Sequence, residues 1–171
     1  MRCRVAGIVR HSLVNGPGIR LVVFLQGCTH RCAGCQNPDT WETAGGEETD
    51  TAGIEEIIGK TKLLDGITLS GGDPLLQAEA ASDIASFAKS LGLSVWCYTG
   101  WTFEAVLHGK VKGAMELLKH VDVLVDGPFV ESLKSDSCLY RGSANQRLVD
   151  VEKSLAADRA VEWTDNKGNR I

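Results

Sequence analysis

The 171-residue chain has no apolar run long enough to cross a bilayer. Its longest purely aliphatic and aromatic stretch is Leu21-Val22-Val23-Phe24-Leu25, against roughly 20 residues for a membrane helix, so no membrane partner is expected. Nor is there an excess of basic charge. Lys and Arg number 18 against 22 Asp and Glu, a formal net charge of −4, whereas a general nucleic-acid coat needs a basic surface; no direct nucleic-acid contact is expected. Met1-Arg2-Cys3-Arg4 leads into a strand-like run and not into the apolar core of an export signal, which points to the cytoplasm. Internal repeats, low-complexity tracts and interdomain linkers are likewise missing. With 43% hydrophobic residues, intrinsic disorder is excluded. A chain of this length buries about 70% of its unfolded surface, enough for one core and hence a single domain over residues 1–171.

What is present alternates between strand and helix. Residues 4–9 and 19–25 are rich in β-formers and flank a turn marked by Gly16, Pro17 and Gly18. Residues 26–41 form a cysteine-bearing loop, and 42–50, rich in Glu, Thr and Gly, reads as an exposed connection. Ile54, Ile57 and Ile58 predict a short amphipathic helix within 51–64. Gly66 to Ser70 reads as a buried strand ending in Gly71-Gly72-Asp73-Pro74. Leu76, Ala80, Ile84, Phe87, Ala88 and Leu91 then make one helical stripe, with Gly92 placed to end it. Strands are expected at 93–98 and 121–125, separated by one or two short helices within 101–119 that break near Gly109 and Gly113. Further strands are expected at 146–151 and 160–163.

Such alternation implies βαβ units and a mainly parallel sheet. A closed eight-stranded β/α barrel takes about 250 residues, so the expected fold class is α/β: an incomplete, open β/α barrel of about five or six βα units. In parallel sheets, sites gather at the carboxyl ends of strands. The cysteine loop, Ser70-Gly71-Gly72-Asp73-Pro74, Tyr98-Thr99-Gly100 and Asp126-Gly127-Pro128 each follow a predicted strand.

Of six cysteines, Cys28, Cys32 and Cys35 crowd into a C-x3-C-x2-C array, while Cys3, Cys97 and Cys138 are scattered. In a reducing compartment the array reads as metal binding and the scattered residues as small buried hydrophobes, not as disulfides. Thiolates suit zinc and iron–sulfur clusters. A structural zinc and an all-protein cubane each take four ligands, and this loop has three thiols. Three readings follow from that count. One is a 4Fe–4S cluster with one iron open to a substrate or cofactor. Another is zinc with His30, tightly spaced between Cys28 and Cys32, as fourth ligand. The third is a four-cysteine cluster completed by Cys3, Cys97 or Cys138. There is no second array to hold an auxiliary cluster.

Cys28-Thr29-His30-Arg31-Cys32-Ala33-Gly34-Cys35 resembles the cluster motif of the radical S-adenosylmethionine superfamily. With the upstream Asn15-Gly16-Pro17-Gly18-Ile19-Arg20 it is most similar to the glycyl-radical activating enzymes. Cys35-Gln36-Asn37, Ser70-Gly71-Gly72-Asp73-Pro74-Leu75, Asp126-Gly127-Pro128-Phe129 and Arg141-Gly142-Ser143-Ala144-Asn145-Gln146-Arg147 together resemble the members that activate anaerobic ribonucleoside-triphosphate reductase. The likeness runs from about His11 to Leu148. It implies one 4Fe–4S cluster per chain on Cys28, Cys32 and Cys35, with an open iron that chelates the amino and carboxylate groups of S-adenosyl-L-methionine. It implies one-electron cleavage of the S–C5′ bond to a 5′-deoxyadenosyl radical, which takes hydrogen from a glycine of the reductase. The implied partners are the glycyl-radical subunit of that reductase and a reduced one-electron donor such as flavodoxin or ferredoxin.

The resemblance also implies cofactor contacts. Gly71 and Gly72 would let backbone approach the methionine portion, with Asp73 beside its ammonium group. Gly34 and Gln36 would reach the adenine through their backbone, and Asn37, Thr99 and Asp126 would touch the cofactor. Several have a plainer reading: Asp73 as a helix N-cap before Pro74, Asn37 as a turn residue before Pro38, and Asp126 as a turn residue before Gly127-Pro128. The arginines of 141–147 are expected to be solvated, and the four tryptophans to be packing residues. His11, His108 and His120 have no evident partner in the sequence. Two other functions are carried forward: activation of a different glycyl-radical enzyme of the pyruvate formate-lyase type, and a non-catalytic zinc or iron–sulfur module.

Overall fold

The computed structural model describes residues 1–135, 137–165 and 168. Strands β1 (Arg2–Ser12), β2 (Arg20–Leu25), β3 (Glu47–Asp50), β4 (Gly66–Gly71), β5 (Ser94–Tyr98), β6 (Val123–Asp126) and β7 (Arg147–Asp150) form one open sheet in the order β3-β1-β2-β4-β5-β6-β7. The helices are α1 (Thr51–Lys60), α2 (Ala78–Ser90), α3 (Phe103–Leu107), α4 (Ala114–Leu118) and α5 (Val151–Ala157).

The sheet is parallel only at its centre, where β2, β4, β5 and β6 run together. The flanking pairs β3–β1, β1–β2 and β6–β7 are antiparallel, so the mainly parallel expectation fails at both edges. The reason lies in the connections. A parallel pair needs a crossover, usually a helix. Here α1, α2 and the α3–α4 pair supply three, where about five or six βα units had been expected. Among the described residues, the stretch between β6 and β7 carries only a 3-10 turn at Glu131–Leu133, and the chain returns antiparallel.

Two local expectations also change. Glu47–Asp50 is an edge strand, β3, and not a loose connection; its side chains are mostly exposed, so its order comes from backbone pairing to β1. Residues 160–163 hold only an isolated bridge, Val149 to Glu162. In the second helix, Leu76 and Leu91 fall outside α2 and are 45% and 49% exposed, so the buried stripe is Ala80, Ala81, Ile84, Ala85 and Ala88.

Strand alternation divides the molecule. Leu21, Val23, Leu25, Ile67, Leu69, Val95 and Cys97 face a core completed by residues from all five helices, among them Ile54, Ile84, Phe103, Leu117 and Val151. The opposite face carries a smaller cluster of Trp96, Val123, Val125 and Leu148, packed with Tyr98, Tyr140 and Trp163 and with no helical residue. Arg20 is fully buried on that second side. Its guanidinium lies 5.6 Å from the Trp96 ring centroid and donates to Thr68 Oγ1, Ser94 Oγ and the carbonyls of Pro17, Ile67 and Ser94. Burial lowers its pKa to about 10. The Gly16-Pro17-Gly18 turn is thereby drawn over the helix-free face.

Candidate functional site

A cavity of about 290 Å³ opens on the helix-free face at the carboxyl ends of the central strands. Phe24, Ser70 and Tyr98 rise into it from β2, β4 and β5. The cysteine loop, Gly71-Gly72, Thr99-Gly100, Gly127, Phe129, Gly142 and Gln146 form its rim, and Asn15 contributes from the turn before β2.

The cysteine loop leaves β2 on a paired stem. Gly27 N donates to Thr40 O at 2.7 Å, Cys28 N to Trp41 O at 3.0 Å, and Gln26 Nε2 to Asp39 O and Glu42 O at 3.1 and 2.8 Å. Cys28, Cys32 and Cys35 are half-buried, are not paired as disulfides, and line the cavity together. Burial raises the Cys28 thiol pKa, opposed by the backbone N–H groups of His30 and Arg31. Asn37 N donates to Cys35 Sγ at 3.4 Å.

Across the rim, Gly71 and Gly72 press backbone against backbone. A Cβ at Gly72 would lie 2.1 Å from the Gly27 carbonyl oxygen, and one at Gly71 2.5 Å from that of Leu25. Gly72 N and Asp73 N donate to the Leu25 and Gly27 carbonyls at 2.7 and 2.8 Å. The glycine pair thus brings the end of β4 flush against the root of the cysteine loop, while still lining the cavity. Asp73 is 2% exposed and stands behind that wall. Its carboxylate accepts from Leu75 N at 3.0 Å, which is the expected cap, and also from Thr99 Oγ1 at 3.0 Å, Gly100 N at 3.2 Å and His30 Nε2 at 2.8 Å.

Of the residues singled out from sequence, Cys28, Cys32, Cys35, Gln36, Asn37, Gly71, Gly72 and Thr99 share the cavity wall; Gly34, Asp73 and Asp126 do not. Gly34 packs against the Glu131 carboxylate. Asp126 is 1% exposed and accepts from Phe103 N at the start of α3 and from Arg147. Arg147 is not solvated as expected, because it also makes two bonds to Glu104 at 2.7 and 3.0 Å. Its pKa is raised by Asp126 and Glu104. His11, too, has a partner, the Lys62 carbonyl at 3.0 Å. Sequence reasoning gave no site role of their own to Phe24, Tyr98, Phe129 and Gln146, although the last three stand within the segments it singled out. For Phe24 and Tyr98 the signal was available, since both alternate with core-facing neighbours and sit at strand ends. For Gln146, which donates to Gly127 O and accepts from Gly142 N at 2.9 and 2.8 Å, no local pattern pointed to the role.

The donor set can be tested against the two metal chemistries. Cys3 lies in the core, Cys97 faces the helices, and Cys138 is not among the lining residues, so the cavity offers three thiols and no fourth. His30 Nε2 is engaged by Asp73. Among the described residues, no three His, Cys, Asp or Glu side chains are grouped to hold one metal ion. Three thiols lining one cavity without a fourth suit a polynuclear cluster, whose irons each take their own thiolate, better than a single four-ligand zinc.

Comparison with known proteins gives independent findings. Residues 14–149 match the family model described as a 4Fe-4S single cluster domain. The anaerobic ribonucleoside-triphosphate reductase-activating protein of Enterobacteria phage T4 is 38% identical over 143 residues, covering 80% of this chain and 87% of that protein. Its namesake in Escherichia coli K12 is 36% identical over 144 residues, covering 79% and 90%. Among solved structures, QueE from Escherichia coli superposes with a TM-score of 0.52 at 14% identity, over 74% of this chain and 71% of that one; this likeness is one of fold.

Proposed function

The chain belongs to the anaerobic ribonucleoside-triphosphate reductase-activating protein family, built on a single-cluster 4Fe–4S domain, and from that premise we propose that it is the radical-generating activase of such a reductase. The observation that carries the reading is the three-thiol cavity: Cys28, Cys32 and Cys35 line it together with Gly71, Gly72 and Thr99, and no fourth cysteine does. In this proposal the whole chain acts as one domain, an incomplete β/α barrel.

Cys28, Cys32 and Cys35, as thiolates, would hold one 4Fe–4S cluster and leave one iron without protein sulfur. Once bound and reduced, such a cluster would supply the one electron that splits the S–C5′ bond of S-adenosyl-L-methionine into methionine and a 5′-deoxyadenosyl radical, able to take a hydrogen atom from a glycine of the reductase and leave as 5′-deoxyadenosine. The protein's own part is binding and enclosure. Gln36 and Asn37 on the cysteine side, and Gly71, Gly72 and Thr99 on the strand side, bracket the cofactor. The Asn37 N–H at Cys35 Sγ stabilises negative charge on that sulfur. Phe24, Tyr98 and Phe129 supply apolar walls that keep water from the reacting atoms. Gly34, Asp73 and Asp126 hold the frame: Asp73 fixes Thr99, and Asp126 fixes α3 against Arg147. The electron comes from a small reduced carrier such as flavodoxin or ferredoxin.

The test is anaerobic incubation of reconstituted protein with reductant, S-adenosyl-L-methionine and an anaerobic ribonucleoside-triphosphate reductase. Electron paramagnetic resonance is expected to show a glycyl doublet on the reductase, with about four irons and four sulfides per chain. Stoichiometric zinc without sulfide, or an intact cluster that never yields the doublet, overturns the proposal.

A further inference from the structure

His30 sits midway between the first two cysteines of the array, and three segments close on its ring. The cysteine loop carries it. The loop after β4 meets it through Asp73 Oδ2, 2.8 Å from Nε2. The loop after β5 meets it twice: Trp101 packs edge-on with ring centroids 5.2 Å apart, and a Cβ at Gly100 would lie 2.5 Å from the imidazole Cδ2. Asp73 is itself held by donors from Leu75, Thr99 and Gly100. A carboxylate offers only acceptors, so Nε2 carries the hydrogen. The remaining ties of the loop lie elsewhere. The stem pairs hold its root, and the Arg31–Glu42 ion pair is exposed on both partners and so holds weakly. Backbone bonds from Gly72 N and Asp73 N to the Leu25 and Gly27 carbonyls join the rim to the root of the loop, and His30, half-buried, is the side-chain link from within the array itself.

We infer that His30 is a positioning residue, whose Nε2–H bond to Asp73 sets the spacing between the cysteine array and the rim of Gly71, Gly72 and Thr99. The inference rests on the function proposed above for its consequence, but the strap itself is made between protein side chains alone. Remote hydrogen bonds that orient metal ligands are commonly worth 10–100-fold in affinity or activity.

Two substitutions separate the hydrogen bond from the bulk of the ring. His30→Gln keeps an N–H donor at the ε position, whereas His30→Asn withdraws it by one bond. In the iron-free protein, native-state alkylation of Cys28 and Cys32 by iodoacetamide, followed by peptide mass spectrometry, is expected to be about tenfold faster in His30→Asn and within about threefold of the unsubstituted protein in His30→Gln. In reconstituted protein of equal iron content, the Kd for S-adenosyl-L-methionine, read from its perturbation of the reduced cluster's resonance spectrum, is expected to follow the same order. Equal alkylation in all three proteins overturns the inference, as does equal impairment of both variants, which would assign the effect to ring packing. If the unsubstituted protein perturbs no spectrum with S-adenosyl-L-methionine, the functional reading falls while the alkylation comparison still decides the strap.

Discussion

No other side chain replaces a thiolate at a soft-metal cluster without changing its affinity and potential. Cys28→Ala, Cys32→Ala and Cys35→Ala are each expected to lose reductive cleavage of S-adenosyl-L-methionine, with 5′-deoxyadenosine formation measured by chromatography falling to background. Cys138→Ala, outside the cavity lining, is expected to retain it. A second residue-scale prediction concerns Arg147, which bonds Asp126 and Glu104 together. Removing it leaves the Asp126 carboxylate buried without a cation. Because the Arg147 side chain is itself 35% exposed, Arg147→Met is expected to cost about 1–3 kcal/mol in urea unfolding near pH 7, between the values for an exposed pair and a fully buried one. The pH dependence has a definite sign. Hydrogen bonding to Arg147 lowers the Glu104 pKa from its ordinary 4.5, so the folded state binds fewer protons than the unfolded one. The stabilisation is complete above about pH 4.5 and drains away as the pH falls through the lower folded value. The gap between the two proteins should therefore narrow below that pH; a gap unchanged down to pH 3 would place the stabilisation elsewhere.

Among the elements, the contact that matters most to the site is glycine against glycine, where the loop after β4 meets the root of the cysteine loop. Gly72→Ala puts a methyl group 2.1 Å from the Gly27 carbonyl oxygen, and overpacking of that kind costs about 1–3 kcal/mol. Backbone has to move, and what moves is the stem of the array. The variant is expected to bind S-adenosyl-L-methionine several-fold more weakly by the spectral titration, on the order of the cost of a displaced binding group. Gly92→Ala is the control. Nothing lies within 4 Å of its Cβ, and its φ of +75° costs about 1 kcal/mol through strain alone, with no change in binding. The same elements explain what could be read from sequence. β2, β4, β5 and β6 announced themselves because they are buried, so their residues had to be apolar or small. β3 did not, because Glu47-Glu48-Thr49-Asp50 is held by backbone bonds that leave no trace in side-chain chemistry. The cysteine spacing is local and was legible. Beyond the Asp73 cap on Leu75 and the bond from Arg20 to Pro17, the hydrogen-bond partners of the Asp73, Asp126, Arg20 and Arg147 side chains lie 21 to 74 residues away in sequence, and residue type alone could not choose between cap, ligand and ion pair.

For the molecule as a whole, the question is whether iron is needed to hold the fold. The main core joins one face of the sheet to all five helices, and none of Cys28, Cys32 or Cys35 belongs to it. The cysteine loop hangs from the other side on bonds between protein backbone atoms alone. In small zinc domains the metal replaces a core, and its removal unfolds the chain; here the core is complete and the loop merely borders a cavity. Stripping iron with a chelator under anaerobic conditions is therefore expected to leave the far-ultraviolet circular dichroism and the cooperativity of urea unfolding intact. The lost stability should be that of a bound ligand, which grows only with the logarithm of the ratio of ligand concentration to dissociation constant. Hydrogen exchange locates the change. Amides of β2, β4 and β5 should keep their protection, since they open only with the whole domain, while those of residues 28–37 should exchange faster through local opening. Loss of protection across the central strands on iron removal would mean that the cluster is a structural element of the sheet, and the separation of core from site drawn from the two faces would fail with it.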